Sequence, residues 1–359
     1  MAKTQVNEPA YVAALLADLD RDLANYCTAL DNRSLSSIFF GGGTPSLFSA
    51  SSIDAILKGV AERIAFSADI EITLEANPGS AEANKFIGFR QAGVNRLSIG
   101  VQSFNPPHLK ALGRVHNSAE AVAAAGFAKN AGFDNFNLDL MFGLPEQSIE
   151  ESTSDLAKAI SLNPTHLSCY QLTIEPNTLF HHSPPITPDD ETLWQMQTAL
   201  QSAISDGGYQ QYEVSAYAQK NRQCLHNLNY WQFGDYLGIG AGAHGKITLE
   251  DDQVIRNWKV KHPTSYLQRA DQNLVFAGAS ELVKQKDLAF EFMMNALRLS
   301  NGFSLDLFEQ RTMLDRRSIA PYLEKHQSQK LINIHDQQVI FTTRGKAMVN
   351  SMLQDYLAD

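Results

Sequence analysis

Residues 37–45 read SIFFGGGTP, a short β-type run that continues directly into three glycines. The same order, a β-type run followed by polar or glycine-rich residues, recurs at 70–78, 96–103, 135–145 and 166–173. Helix-period segments separate these runs near 51–65, 81–92, 118–131, 148–161 and 189–206, and a further β-type run follows at 209–215. Strands that alternate with helices in this way form βαβ units. The sequence therefore predicts an α/β fold with a parallel sheet.

Polar side chains stand where these strands end, among them Glu75, Gln102 and Asp139. Because the C-terminal ends of parallel strands lie at one edge of a sheet, where α/β proteins bind ligands, we expect one site there. Arg114, in the segment LGRVH, could pair with a ligand carboxylate, or with a surface acid instead. Glycines 41–43 allow the backbone to approach a ligand closely, or form a tight structural turn. For the two carboxylates, the alternative is hydrogen bonding to nearby backbone N–H groups.

The composition is that of a globular protein and narrows the range of partners. The 359 residues include 29 Lys and Arg against 39 Asp and Glu, and the net charge of −10 argues against a broad nucleic-acid-binding surface. No stretch approaches the roughly 18 apolar residues of a membrane span. The N-terminus carries acidic residues where a signal peptide needs an apolar core. We therefore expect a cytoplasmic protein.

Residues 226–231 read HNLNYW and place an imidazole beside two aromatic rings. Histidine is an axial iron ligand in many haem proteins and aromatic rings suit a flat porphyrin, whereas a histidine packed in the core is the alternative. Residues 240–245, GAGAHG, match G-x-G-x-x-G, but KITLEDDQVI follows as strand and turn, not as the helix that a nucleotide site needs. The pair His181–His182, in a Pro-rich loop, predicts a solvated surface and not a metal site.

The pattern predicts three parts. Residues 1–246 form the main α/β domain and 247–280 form a connecting segment. Residues 281–359 form a helical, winged-helix-like appendage with a β-type pair around 335–338. This appendage holds ten Lys and Arg and ten Asp and Glu, so we expect it to cover an end or edge of the sheet and not to read DNA.

Eight segments carry a family resemblance that spans about residues 37–246. They are, in order, FFGGGTPSL, ITLEANPGS, RLSIGVQSF, LGRVH, NLDLMFGLPEQ, YQLTIEPNT, HNLNYW and GDYLGIGAGAHGK. The chain resembles the radical SAM haem chaperone family (HemW type), relatives of oxygen-independent coproporphyrinogen III oxidase. The resemblance implies a partial (β/α) radical SAM barrel that binds S-adenosylmethionine at the strands' C-terminal ends. The implied cofactor-binding residues are Gly42, Gly43 and Thr44, for the methionine part, and Glu75, Gln102, Arg114 and Asp139.

The segment HNLNYW matches the H-N-x-x-Y-W pattern of the chaperone subgroup. By this resemblance His226 is the candidate ligand of the haem iron, and Asn227, Tyr230 and Trp231 are further haem-binding candidates. The implied function is that of a haem chaperone, which binds haem and S-adenosylmethionine and transfers haem to an acceptor protein, membrane-bound or not.

The sequence departs from the family in its cysteines. The family holds a [4Fe–4S] cluster on a C-x-x-x-C-x-x-C loop, whereas Cys27, Cys169 and Cys224 lie elsewhere and no two of them have C-x-x-C spacing. We expect that the first barrel strand and the cluster loop are missing, through a truncation, a start set too late or a true loss. Radical chemistry would then lack its electron source, and the exposed edge of the strand at 37–40 would favour a homo-oligomer.

The sequence is also compatible with two other functions. One is an oxygen-independent coproporphyrinogen III oxidase-like enzyme of porphyrin biosynthesis, which needs the cluster. The other is a cluster-less remnant that binds a partner or S-adenosylmethionine only.

Overall fold

The computed structural model describes residues 7–79 and 84–357, so residues 81–83 of the predicted helix 81–92 lie outside the described residues. The chain forms two compact units. The sheet unit comprises Ser37–Asp54 and Ile70–Gln223, and the terminal unit comprises Met1–Ser36, Ala55–Asp69 and Cys224–Asp359.

A seven-stranded sheet dominates the sheet unit and curls into a half-barrel. Its strands are β1 (Leu35–Phe40), β2 (Phe66–Ala76), β3 (Arg96–Gln102), β4 (Phe136–Phe142), β5 (His166–Gln171), β6 (Gln210–Gln211) and β7 (Ala216–Ala218), in the spatial order β1-β2-β3-β4-β5-β7-β6. Strands β2 to β5 pair in parallel, and β7 runs antiparallel to both of its neighbours. The predicted α/β fold class is confirmed.

Helices form where the spacing of apolar residues changes from every 2 positions, as in strands, to about every 3.6 positions. The helices up to the end of the sheet unit are α1 (Glu8–Asn25), α2 (Cys27–Leu30), α3 (Ala50–Ala61), α4 (Phe86–Ala92), α5 (Pro106–Ala111), α6 (Ser118–Asn130), α7 (Ile149–Ser161), α8 (Leu179–His182) and α9 (Asp190–Asp206). Ser148 and Glu151 form a reciprocal capping box at the start of α7, as their spacing predicts. Asp189 caps α9 by accepting from the N–H of Thr192 at 2.8 Å.

The single strand predicted over 209–215 is wrong. The chain instead reverses direction between β6 and β7, and the N–H of Tyr212 donates to the carbonyl of Ala216 at 3.1 Å to close the turn. The aromatic and polar residues of YQQYEVS have strand propensity, but a local turn decides their conformation. One consequence is that Tyr212 is fully buried beside β5.

The terminal unit contains a second sheet, in the order β10-β9-β8. Its elements are α10 (Leu225–Trp231), β8 (His244–Thr248), β9 (Val254–Lys259), α11 (Pro263–Asp271) and β10 (Ala277–Leu282). The strand β8 begins at His244, inside the G-x-G-x-x-G match, so no phosphate-binding helix follows it, as expected. Lys259 on β9 lies 2.7 Å from carboxylate oxygens of both Asp18 and Asp22 on α1, and all three side chains are buried.

A third sheet, in the order β11-β13-β12, packs with helices near the C-terminus. These elements are α12 (Leu288–Ala296), β11 (Phe303–Ser304), α13 (Leu305–Thr312), α14 (Ala320–Ser328), β12 (Ile332–His335), β13 (Gln338–Phe341), α15 (Thr343–Ala347) and α16 (Val349–Gln354). Phe292 is the centre of their core and makes edge-to-face contacts with Phe303 and Phe308, each with ring centroids 5.2 Å apart. The predicted β-type pair is confirmed, whereas the boundaries 1–246, 247–280 and 281–359 stay a prediction. Across the described residues no helix is long and apolar enough to cross a membrane.

Candidate functional site

The register of the sheet unit places polar side chains in a row across four parallel strands. Glu75 pairs with Ser98, Ser98 with Asn137, and Asn137 with His166. Residues in register on parallel strands point to the same face of the sheet. Asp139, two residues beyond Asn137 on β4, therefore shares that face. The alternation of polar and apolar residues in NFNLDLM is the sequence signal of this arrangement.

A cavity of about 190 Å³ opens at the C-terminal ends of these strands. It is lined by Gly43, Thr44, Pro45, Glu75, Ala76, Asn77, Ser98, Gly100, Gln102, Arg114 and Asp139. Six residues predicted from the sequence as cofactor-binding are in this set. The seventh, Gly42, adjoins it, because its N–H donates to Oε2 of Glu75 at 3.2 Å. The structure thus brings together residues from β2, β3, β4 and the loops that follow them.

The glycine loop after β1 has the conformation and the space that a close ligand requires. Gly42 and Gly43 have φ angles of +76° and +63°, a region that residues with a Cβ rarely adopt. Apart from the adjoining residues of the loop, no described atom lies within 4 Å of a Cβ built at either position. The backbone of this loop bends sharply and leaves open space beside Gly42 and Gly43, and the binding of a ligand there stays a prediction.

Gln102 is held in a strained conformation at the end of β3. Its φ of +68° is unusual for a residue with a side chain, and the pairing of β3 with β4 shifts register between Ile99 and Gln102. A Cβ at Gly100 would lie 3.0 Å from Nε2 of Gln102. The absence of a side chain at Gly100 therefore leaves room for the Gln102 amide beside the strand. Backbone strain of this kind, about 1–3 kcal/mol, concentrates at ligand-binding sites.

The charges of the cavity are two carboxylates and one guanidinium. Burial raises the pKa of Glu75, the charge of Asp139 raises it further, and the N–H of Gly42 opposes both. Burial also raises the pKa of Asp139, and the hydrogen bond from Asn137 is the largest effect that opposes the rise. Burial lowers the pKa of Arg114, which the charge of Asp139 opposes. Such a set fits S-adenosylmethionine, whose ammonium and sulfonium groups are positive and whose carboxylate is negative.

The HNLNYW segment folds as α10 in the terminal unit. Its spacing sets His226 above Tyr230, and Asn227 above Trp231, because residues four apart share a helix face. His226 is 9% exposed, and its Nδ1 lies 3.1 Å from Sγ of Cys224. The ring of Tyr230 contacts Tyr236, with centroids 4.5 Å apart, and burial raises the pKa of Tyr230 to about 12.

Trp231 offers an unused hydrogen-bond donor. Its Nε1 is buried and has no hydrogen-bond partner among the described residues. The guanidinium of Arg298, which is exposed, lies 5.4 Å from the centre of the Trp231 ring. An N–H group and an arginine together are suited to bind a carboxylate. Sequence reasoning did not identify Arg298, which is 67 residues from the motif in sequence.

The three cysteines do not fit a [4Fe–4S] cluster. Cys169 is buried inside β5, where burial raises the pKa of its thiol to about 12, whereas cluster ligands are thiolates. Cys224 is buried against the His226 ring. Cys27 is exposed at the start of a four-residue helix. Cys27 begins α2, Cys169 lies within β5 and Cys224 directly precedes α10, so no two of the thiols share an element.

Two family models and several curated relatives match the chain. The radical SAM superfamily model matches residues 18–157, and the HemN C-terminal domain model matches residues 283–347. The chain is 46% identical over 357 residues to the heme chaperone HemW of Escherichia coli (strain K12), and 45% identical to that of Haemophilus influenzae; each match covers 99% of this chain and 92% of the relative.

The likeness also extends to a solved structure. Coproporphyrinogen III oxidase (HemN) from Escherichia coli superposes with a TM-score of 0.79 over 99% of this chain and 84% of that one, at 22% identity, which supports the fold alone. The resemblance found from the sequence motifs is confirmed by the full-length relatives. The chain therefore belongs to the HemW family of radical SAM proteins.

Proposed function

We propose that this chain is a haem chaperone, which binds haem as cargo on a radical SAM scaffold and passes it to an acceptor protein. The observation that carries the proposal is the 46% identity, over 99% of the chain, to a protein named heme chaperone. The proposal also places the protein in the cytoplasm, with haem and the acceptor as partners and no nucleic acid. The net charge of −10 favours this choice. A homo-oligomer through β1, at the edge of the sheet, stays a prediction.

S-adenosylmethionine occupies the cavity of the sheet unit in this proposal. Gly42, Gly43 and Thr44 line its methionine part, and the remaining contacts come from Glu75, Gln102, Arg114 and Asp139. The cofactor supplies a sulfonium whose carbon–sulfur bond a one-electron donor can cleave. The role of the chain's own residues is to bind and orient it: the carboxylates attract its positive groups, and Arg114 its carboxylate.

Haem binds at α10 in this proposal. His226 ligates the iron, while Asn227, Tyr230 and Trp231 contact the porphyrin or its substituents. The N–H of Trp231, which has no hydrogen-bond partner in the part of the chain that the structure describes, and the guanidinium of Arg298 support this choice, because haem carries two propionate carboxylates. His226 is 9% exposed, so the iron reaches its ring only when the ring becomes uncovered. A ligand that must be uncovered suits a carrier, which has to release its cargo.

The oxidase-like alternative has less support. It rests on the likeness to HemN, which at 22% identity concerns the fold alone.

Haem titration of purified variants, followed by the Soret absorbance, tests the proposal. Wild type is expected to bind one haem, and His226→Ala to lose most of the affinity and the spectrum of a histidine-ligated iron. The double variant His181→Ala, His182→Ala is the matched control, because it removes two exposed imidazoles outside the motif. Equal affinity and identical spectra of wild type and His226→Ala would overturn the assignment of His226. Failure of wild type to bind haem would overturn the proposed function.

A further inference from the structure

The polar row across the sheet continues behind the cavity into the core. His166, Tyr212 and Asn137 are each 1% exposed, and Ser168 is 3% exposed. Buried polar groups of this kind are costly unless every one is hydrogen-bonded. Asn137 and His166 lie in register two residues before Asp139 and Ser168, which pair with each other, and none of the four buried residues lines the cavity. Their role therefore lies in the side chains that they hydrogen-bond and orient.

The four hydrogen-bonding positions of the Asn137 amide are all used. Its Nδ2 donates to Oδ1 of Asp139 at 2.7 Å and to Oγ of Ser98 at 2.8 Å. Its Oδ1 lies 2.7 Å from Nδ1 of His166 and accepts from Oγ of Ser168 at 3.1 Å. The other ring nitrogen of His166, Nε2, lies 2.8 Å from the hydroxyl of Tyr212. A continuous chain of hydrogen bonds thus runs from Tyr212 to Asp139.

The orientation of Asn137, whose Nδ2 donates to Asp139, is the one that an ionised Asp139 requires. An ionised carboxylate can only accept, so Asn137 must turn its NH₂ group toward Asp139 and its oxygen toward His166. His166 must then carry its proton on Nδ1, which leaves a lone pair on Nε2 for the hydroxyl of Tyr212. Every donor points toward the carboxylate. The reversed chain would face the oxygen of Asn137 toward Asp139, which is possible only when Asp139 is protonated.

We propose that Tyr212 and His166 are positioning residues of the cavity, which act through Asn137 to keep Asp139 ionised and oriented as a hydrogen-bond acceptor for the bound ligand. The inference rests on the proposed S-adenosylmethionine site. Loss of the Tyr212 hydroxyl frees His166 to carry its proton on Nε2, and the chain can then reverse. Asp139 takes up a proton more easily in the reversed arrangement and becomes a poorer acceptor.

Several other charged or titratable groups face Asp139 and would act on it in the same way in every variant. They are Glu75 on β2, Arg96 on β3, Cys169 on β5 and Arg114 after α5. Because the variants leave these groups unchanged, a difference in ligand affinity between them reports on the hydrogen-bond chain. Asp139 loses its charge as the pH falls, so the effect on ligand binding must increase toward acidic pH.

Tyr212→Phe is the main variant, and Tyr209→Phe is its matched control. Tyr209 is also buried, on the same segment, and its hydroxyl donates to the carbonyl of Pro164 at 2.6 Å, outside the chain. The affinity for S-adenosylmethionine is measured by calorimetry between pH 6 and pH 8. Tyr212→Phe is expected to bind about fivefold more weakly than Tyr209→Phe, which corresponds to the about 1 kcal/mol that a hydrogen bond of this kind contributes, and the gap is expected to widen at pH 6.

Two substitutions of His166 separate positioning from packing. In His166→Asn the amide can replace the Nδ1–H donor to Asn137, so we expect affinity and pH profile to be largely rescued. In His166→Leu the side chain has similar bulk and no donor, so we expect the pH profile of Tyr212→Phe. If His166→Asn and His166→Leu behave alike, the side chain has a packing role only and the inference is wrong.

The tautomer of His166 gives a readout that needs no ligand. Nitrogen NMR of histidine-labelled, ligand-free protein is expected to show the Nδ1–H form in wild type and in Tyr209→Phe, and a mixture in Tyr212→Phe. The Nε2–H form in wild type, or an unchanged tautomer in Tyr212→Phe, would overturn the inference. If wild type does not bind S-adenosylmethionine, the proposed cofactor site is wrong. The tautomer of His166 still decides whether the hydrogen-bond chain orients Asp139 as inferred.

Discussion

Replacement of Glu75 by glutamine should stabilise the protein while it weakens the cofactor site. The Glu75 carboxylate is half-buried, and burial and the charge of Asp139 both oppose its ionisation. Glutamine has the same shape, and its oxygen can still accept from the N–H of Gly42. The substitution therefore removes the buried charge and its repulsion while it keeps the hydrogen bond. Strained charges at binding sites commonly reduce stability in this way.

The expected gain is about 1 kcal/mol at neutral pH, a typical value for relief of such a group. The pKa of Glu75 is raised in the folded protein, so its protonation favours the folded state. This contribution is fully present below about pH 4.5, the ordinary pKa of a glutamate, and is lost as the pH rises through the raised pKa. Glutamine cannot ionise. The advantage of Glu75→Gln over wild type should therefore be small near pH 4.5 and largest at neutral pH.

Thermal unfolding at a series of pH values, with calorimetric titration of S-adenosylmethionine, measures both effects. We expect a midpoint about 2 °C higher at neutral pH, and an affinity about 10- to 100-fold weaker, because a hydrogen bond to a charged group is lost. Glu62→Gln removes the same charge from an exposed side chain and serves as the control, with no expected change in either quantity. A less stable Glu75→Gln protein at neutral pH, or a stability difference independent of pH, would show that ionised Glu75 does not destabilise the fold.

Two further predictions concern the terminal unit. Lys259→Met should destabilise the protein by about 3–5 kcal/mol in chemical denaturation, because the carboxylates of Asp18 and Asp22 would stay buried without their cation; a loss below about 1 kcal/mol would contradict this. Gly302→Ala should lower the free energy of unfolding more than Gly132→Ala, for which about 1 kcal/mol is expected. Both glycines have positive φ, but a Cβ at Gly302 would overlap a backbone oxygen. A Cβ at Gly132 meets no described atom within 4 Å apart from its adjoining residues. Equal losses by differential scanning calorimetry would show that the close contact does not matter.

Much of the cavity could be predicted because parallel strands have a simple geometry. Glu75 and Asp139 each stand near the end of a strand, and parallel register brings such ends to one edge. The glycine loop was identifiable because few other residues adopt its conformation. Ser98 and Asn137 were missed, although both occupy positions with polar–apolar alternation in otherwise apolar strands. Applied to β3 and β4, the period-2 rule would have placed them on the face of Asp139.

The remaining features depend on contacts that are distant in sequence. The path of residues 209–215 is decided by the turn at Tyr212 and the antiparallel pairing of β7 with β5, which local propensity does not encode. Arg298 contacts Trp231 across 67 residues, and no spacing rule connects them. The burial of His226 likewise follows from tertiary packing, since α10 alone would leave one of its faces exposed. Sequence motifs identified this helix, but not how accessible its imidazole is.

Release of haem to a scavenger tests the central claim, that haem is cargo of this chain, most directly. Wild type loaded with one haem is mixed with an excess of apomyoglobin, and the transfer is followed by the Soret absorbance of the myoglobin formed. We expect stoichiometric loading that requires His226, followed by complete transfer within minutes. Haem that stays on the chain for hours would identify a resident prosthetic group, and a chain that cannot be loaded would have no cargo. Either result would show that haem is not a transferable cargo of this chain.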